Sequence, residues 1–218
     1  YLAKVMRLAV GGTVILCDDI TGEWAAEARS VGKRDVLLVP FRQLRAREAV
    51  PDLWLCPALL KKDRFDLVLE KATELGVAAI RPVITRRCVA DKLNDERAVA
   101  IVTEAAEQCA RTALPLLAEP LKLERLLADW PTGRALFFAD EAGGEAAAPA
   151  FAAHPGPAAI LTGPEGGFDE AERAAIRAHP AARAITLGPR ILRGETAAIA
   201  ALALWMGTAG DWGAVSPQ

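Results

Sequence analysis

The sequence predicts an α/β protein in two parts: a small β-rich unit over residues 1–48, then a mostly parallel sheet, covered on both faces by helices, from residue 53 onward. Three observations carry this. Short apolar segments separated by turn signals crowd into residues 13–40. From residue 53, strand-like apolar runs alternate with segments of helical spacing. Near the C-terminus, LTGPEGGFDEAE (161–172) and LGPRILRGET (187–196) put glycine, proline and charge where an apolar strand stops and a helix starts. In open α/β sheets, ligand crevices form at such carboxyl ends of strands.

In order, an apolar stretch at 2–10 meets Gly11-Gly12, and TVILCD (13–18), EWAAEA (23–28) and DVLLVP (35–40) follow as short strands. This spacing suggests a small barrel or sheet. Residues 41–52, with Arg42, Arg45, Arg47 and Pro51, read as a linker. LWLCPALL (53–60) is a buried strand with an irregularity at Pro57. Asp63 can cap a helix bearing Phe65, Val68, Leu69, Ala72 and Leu75 on one face, ended by Gly76. AAIRPVIT (78–85) is the next strand and 95–112 the next helix. A shorter helix spans 123–130, and ALFFAD (135–140) is a strand. The Ala/Gly/Pro-rich stretch 142–158 is a loop with at most a short helix. AAILTG (158–163) is a strand, and Asp169 with Glu172 opens the helix 169–178 in a capping-box pattern. ARAITLG (182–188) is the last strand. The final helix, 195–207, is apolar nearly all round and must be buried in a core or an interface.

Composition excludes several function classes. No apolar run reaches the roughly 20 residues of a membrane-spanning helix. The first residue is Tyr1 rather than Met, so the chain is expected to lack its native start, and no signal peptide is visible. Cys17, Cys56, Cys88 and Cys109 are scattered, far from His154 and His179, without metal-ligand spacing. The expectation is therefore no metal, and reduced cysteines in a cytoplasmic protein. Net charge is only −2, unlike a protein that coats nucleic acid generally. Residues 1–92 nonetheless carry 16 Lys and Arg against 12 Asp and Glu, whereas 93–218 carry 10 against 16. That asymmetry allows a basic patch on the N-terminal part, although from charge alone an ordinary solvated surface is the better reading.

The only serines, Ser30 and Ser216, lie outside any G-x-S-x-G elbow. Phosphate-loop and dinucleotide glycine motifs are both missing. What remains is two glycine-rich turns 26 residues apart. In 163–167, three glycines allow close backbone approach to a ligand, and Glu165 is the one charged side chain. In 187–196, Arg190 and Arg193 bracket Ile191-Leu192, and Glu195-Thr196 opens the last helix. Tight, capped turns would account for either alone. Together they suggest one site walled by backbone amides and carbonyls, suited to adenine or another polar, largely uncharged group.

The motifs L-x-G-P-E-G-G and L-G-x-R-I-L-R-x-E-T, with YLAKVMRL (1–8), FDLVLEKATELGV (65–77), RCVAD (87–91) and EAAEQCAR (104–111), resemble the RsmE family of bacterial ribosomal RNA methyltransferases. The resemblance covers essentially the whole chain apart from the family's first twenty or so residues. It implies an N-terminal PUA-like β-barrel that binds RNA (1–48, truncated at its start) and a C-terminal SPOUT α/β domain (53–218) with a C-terminal trefoil knot, acting as a homodimer. It implies S-adenosyl-L-methionine as cofactor, and N3 of one uridine of 16S ribosomal RNA, within the small ribosomal subunit, as target. By carry-over, the cofactor is held around Leu161, Thr162, Gly163, Glu165 and Gly166, and around Leu187, Gly188, Ile191, Leu192 and Thr196.

For such chemistry Arg193, Glu195 and Glu165 are the candidate catalytic residues: a carboxylate can take the N3 proton and an arginine can stabilise charge developing on O2 or O4. Glu195 can equally hold Arg193 or cap the helix. Candidate RNA contacts are Lys4, Arg7, Lys33, Arg34, Arg86 and Arg87, with Lys61 and Lys62; each is equally an ordinary surface charge. Three rivals stand beside this reading: a SPOUT enzyme that methylates a tRNA ribose, a non-catalytic RNA-binding assembly factor, and a small-molecule nucleotide-binding enzyme, for which the sequence holds no phosphate loop.

Overall fold

The computed structural model describes residue 2 and residues 5–213, so Lys4 lies outside the described residues. Two units emerge. One comprises residues up to 49 together with 110–114, the other 50–109 with 115 onward.

The first unit is a three-stranded antiparallel sheet of β1 (Thr13–Asp18), β2 (Gly22–Val31) and β3 (Val36–Ala46). The β1–β2 turn forms because the Asp18 carboxylate accepts the backbone N–H groups of Ile20, Thr21 and Gly22 and the Thr21 hydroxyl. Its neighbour, Gly22, has φ +105°, and a Cβ there would meet the Arg45 carbonyl. β3 runs six residues into the expected linker because β2 is long enough to pair with it and Glu23 holds Arg45 at 2.5 Å. The described residues of 2–10 form turns and bends rather than a strand. Segment 110–114 belongs to this unit through Glu48, whose Oε1 accepts from Thr112 N at 2.8 Å and Ala113 N at 3.2 Å. Asp19 likewise takes Leu114 N at 2.7 Å.

The second unit is built on seven parallel strands in the order β10-β12-β9-β11-β4-β5-β7. Along the chain these are β4 (Leu53–Pro57), β5 (Ala79–Ile80), β7 (Leu116–Leu117), β9 (Ala135–Ala139), β10 (Glu145–Ala146), β11 (Ala158–Thr162) and β12 (Ala182–Thr186). A separate parallel pair joins β6 (Val83–Ile84) to β8 (Leu121–Lys122). The run 78–85 is thus two strands in two sheets. Pro82 has no N–H to donate and separates them.

Among the described residues there are six helices: α1 (Lys62–Glu74), α2 (Asp95–Gln108), α3 (Leu123–Ala128), α4 (Ala147–Ala152), α5 (Glu170–Ala178) and α6 (Gly194–Thr208). α2 stops before the expected residue 112, because Ala110 turns to φ +57° where the chain leaves for the first unit. β9 shows why both faces are apolar: successive side chains point to opposite faces. Phe137 packs edge-on against Phe151 of α4 at 4.8 Å, and Phe138 against Phe168, just before α5, at 5.2 Å. Cys56, Leu136, Ala159, Leu161 and Ile176 complete the Phe138 side. On the other side α6 packs against β4, β11, α1 and α4, which accounts for its apolar character.

Candidate active site

Three strands, β9, β11 and β12, end side by side, and their following turns line one cleft. It is walled by Ala139–Glu141 after β9, Gly163-Pro164 and Gly167-Phe168 after β11, and Leu187–Leu192 after β12. Sheet order explains the meeting. β12 lies on the far side of β9 from β11, so the chain must cross back over the end of β9 to start α6 against β11. It arrives in contact with the first turn: a Cβ on Gly194 would stand 3.0 Å from the Gly163 carbonyl oxygen and 2.9 Å from a Leu60 methyl. The two glycine-rich turns therefore touch, backbone to backbone.

Of the ten residues expected at the cofactor, Gly163, Leu187, Gly188, Ile191 and Leu192 line the cleft. Leu161 and Thr162 are buried in β11, where the Thr162 carbonyl accepts from Ala58 N at 2.9 Å. Glu165 lines the neighbouring groove instead, the Gly166 carbonyl is taken by Arg87, and Thr196 is exposed on the first turn of α6. Among the described residues, the backbone groups of Leu187, Ile191 and Leu192 make no recorded hydrogen bond, which leaves amides and carbonyls available in the wall. Gly188 reaches φ +113°, a conformation L side chains rarely adopt.

The end of β9 contributes residues the sequence reading passed over. The buried Asp140 carboxylate holds Arg177 at 2.6 Å and Arg173 at 3.1 Å, and Glu141 takes a second Arg173 nitrogen at 3.0 Å. The available signal was a third apolar strand ending in charge: FFADE, followed by Gly143-Gly144.

A second groove borders the first. Glu141, Pro164, Gly167, Ile191, Leu192 and Gly194 line both, and Glu165 and Arg193 line only the second. Glu165 Oε1 accepts from the backbone N–H of Lys61 at 3.2 Å, at the start of α1. This overturns Asp63 as the cap of α1. Asp63 lies inside the first turn, Lys61 is the capping position, and the acceptor comes from 104 residues away. Arg193, the residue before α6, is exposed and without a recorded partner. Glu195 turns to Arg64 of α1 at 3.2 Å rather than to Arg193, and its Oε2 is buried without a partner.

Arg86 and Arg87 are spent inside the unit, though both stay exposed. Arg87 Nη1 donates to the Gly166 carbonyl at 2.9 Å, and Arg86 pairs with Asp169 at 3.0 Å. Buried Glu172 ties the same loop down. Its Oε1 accepts Arg86 N at 2.7 Å and its Oε2 accepts Asp169 N at 3.1 Å, closing the capping box of α5. The Glu172 N–H bond, with Arg86 adding to it, holds the Asp169 carboxyl below its usual range against the opposing effect of burial. In the first unit Arg7, Lys33 and Arg34 are exposed without recorded partners. No group of His, Cys, Asp and Glu among the described residues has metal-binding geometry, and no described helix is long and apolar enough to cross a membrane.

Residues 47–206 match a family described as the RNA methyltransferase domain. The chain is 31% identical over 206 residues to ribosomal RNA small subunit methyltransferase E of Rickettsia conorii, covering 93% of this chain and 84% of that protein. It is 29% identical to the Bacillus subtilis protein of the same name at the same coverage. The fold is similar to a crystal structure of ribosomal RNA small subunit methyltransferase E from Neisseria gonorrhoeae bound to S-adenosyl methionine. There the TM-score is 0.85, with 28% identity over 96% of this chain and 89% of that one.

Proposed function

The chain belongs to the ribosomal RNA small subunit methyltransferase E family, and from that premise we propose that it methylates N3 of one uridine in the 16S RNA of the small ribosomal subunit, with S-adenosylmethionine as methyl donor. The observation that carries this reading is the contact of the two glycine-rich turns at Gly163 and Gly194, which makes one cleft from three strand ends.

The residues present suit the cofactor. The unspent amides and carbonyls of Leu187, Ile191 and Leu192 can donate to and accept from an adenine. Arg190 and the Arg173–Glu141 pair offer both signs of charge to a zwitterionic amino-acid tail. When bound, the cofactor supplies an electrophilic methyl group on a positively charged sulfur. The chain's own task is then alignment and proton handling. Glu165, exposed in the neighbouring groove, takes the N3 proton. Arg193, free beside it, stabilises the charge that develops on O2 or O4. Glu195 acts indirectly: its pairing with Arg64 fixes the first turn of α6 and so the place of Arg193.

On the same reading, residues 1–48 are a PUA-like RNA-binding barrel and 53–218 a SPOUT domain with a C-terminal trefoil knot. Arg7, Lys33 and Arg34 contact RNA phosphate, and the enzyme acts in the cytoplasm as a homodimer joined through α6. Labelled methyl transfer to small subunits from cells lacking this activity, with the nucleoside identified by mass spectrometry, tests the assignment. N3-methyluridine is expected; a ribose-methylated product would refute the target atom. Arg193→Ala should lower kcat by about 10²–10³ while leaving cofactor affinity unchanged, and an equal loss of cofactor binding would remove Arg193 from acceptor handling.

A further inference from the structure

The groove that shares its wall with the cofactor cleft combines two kinds of lining that nucleotides select. Three cations border it, Lys61, Arg64 and Arg193, against two carboxylates, Glu141 and Glu165. Lys61 is exposed with no recorded side-chain partner. Arg64 keeps a third of its side chain accessible while pairing with Glu195. Two apolar side chains lie bare among them, Val89 at 71% exposure and Ile191 at 83%. The groove thus joins an excess of positive charge to exposed aliphatic surface. Phosphates are held by Lys and Arg, and unstacked bases lie against apolar faces.

We propose that this groove is the acceptor-nucleotide site: the target base lies between Val89 and Ile191, and the flanking phosphates are gripped by Lys61 and Arg64. This rests on the methyltransferase reading above and adds to it the place where single-stranded RNA enters. The geometry is economical, because acceptor and donor would lie against one wall, shared by Glu141, Pro164, Gly167, Ile191, Leu192 and Gly194. The Lys61 backbone is already anchored by Glu165, so its side chain can serve RNA without disturbing α1.

The test uses the full chain with Lys61→Gln, Val89→Asp and Arg64→Gln, and Arg64→Lys as a control that keeps the charge facing Glu195. Two readouts are needed: KM for small-subunit RNA across salt concentrations, and equilibrium binding of a uridine trinucleotide, which does not depend on turnover. Lys61→Gln should raise KM and weaken trinucleotide binding by about tenfold and reduce the salt slope by about 1, with cofactor affinity and kcat retained. Val89→Asp should weaken binding similarly through lost apolar contact and charge repulsion. Arg64→Lys should recover most of what Arg64→Gln loses. If the wild type turns over but KM, salt slope and trinucleotide binding are unchanged in Lys61→Gln and Val89→Asp, the acceptor site lies elsewhere. Parallel loss of cofactor affinity would likewise overturn it. A wild type that binds the trinucleotide through Lys61 yet transfers no methyl would sink the methyltransferase reading and leave this site standing.

Discussion

Gly194 is the residue on which the cleft closes. Its missing side chain lets the start of α6 rest on the Gly163 carbonyl and on Leu60, which is 3% exposed. A backbone carbonyl cannot swing aside as a side chain can. Gly194→Ala should therefore destabilise the fold by about 1–3 kcal/mol, as overpacking does, and weaken cofactor binding, read by thermal denaturation and titration calorimetry. Unchanged cofactor affinity would separate the contact from the site. Gly188 differs, since a Cβ there meets nothing within 4 Å; Gly188→Ala is strained only by its φ. Another single-residue effect belongs to the first unit. Three N–H groups and a hydroxyl, with those of Thr21 foremost, lower the Asp18 carboxyl from 3.8 to about 2. A depressed carboxyl stabilises the fold above its unfolded value and loses that contribution as pH falls towards the folded one. Melting temperature should accordingly fall between pH 4 and pH 2 more steeply in the wild type than in Asp18→Asn. Parallel curves would show that the turn does not bias folding.

Among elements, the start of α5 shows how one buried carboxylate couples two segments. Glu172 closes its own capping box and also holds the loop at Arg86, so Glu172→Gln leaves one of its two part-buried N–H partners without an acceptor. The expected cost is about 1–3 kcal/mol, measured by chemical denaturation. Arg87 should release Gly166 at the same time, seen as faster amide exchange over 85–88 and 164–168. Wild-type exchange there would refute the coupling. The capping box was legible because Asp169 and Glu172 are three residues apart in sequence. The cap of α1 was not, because Glu165 reaches Lys61 across 104 residues. The division of 78–85 was half legible: Pro82 signals a break, but the assignment of its halves to two sheets depends on partners at 116–117 and 121–122.

At the scale of the molecule, the strand–helix alternation after residue 53 was enough to anticipate a parallel sheet covered on both faces, because a run buried on both sides must be apolar throughout. Strand order was not, and strand order brings β9, β11 and β12 to one cleft. Among the described residues the first unit presents an open three-stranded sheet, with Leu37 and Phe41 of β3 more than half exposed. The proposed homodimer is tested on α6, whose Leu204 remains 41% exposed on a helix otherwise apolar nearly all round. Sedimentation should give twice the chain mass for the wild type and a shift towards monomer for Leu204→Glu; a monomeric wild type would exclude the assembly.

The sequence by itself determined the local chemistry: which runs are buried, where the two glycine-rich turns fall, and that Glu165 and Arg193 stand in them. Period and turn residues act over a few positions and can be read along the chain. Only the tertiary structure decided that Gly163 touches Gly194, that Glu195 faces Arg64 rather than Arg193, that Arg86 and Arg87 hold a turn together, and that Asp140 and Glu141 supply the third wall. Each of these depends on the order in which parallel strands are laid side by side, and that order is set by long-range packing.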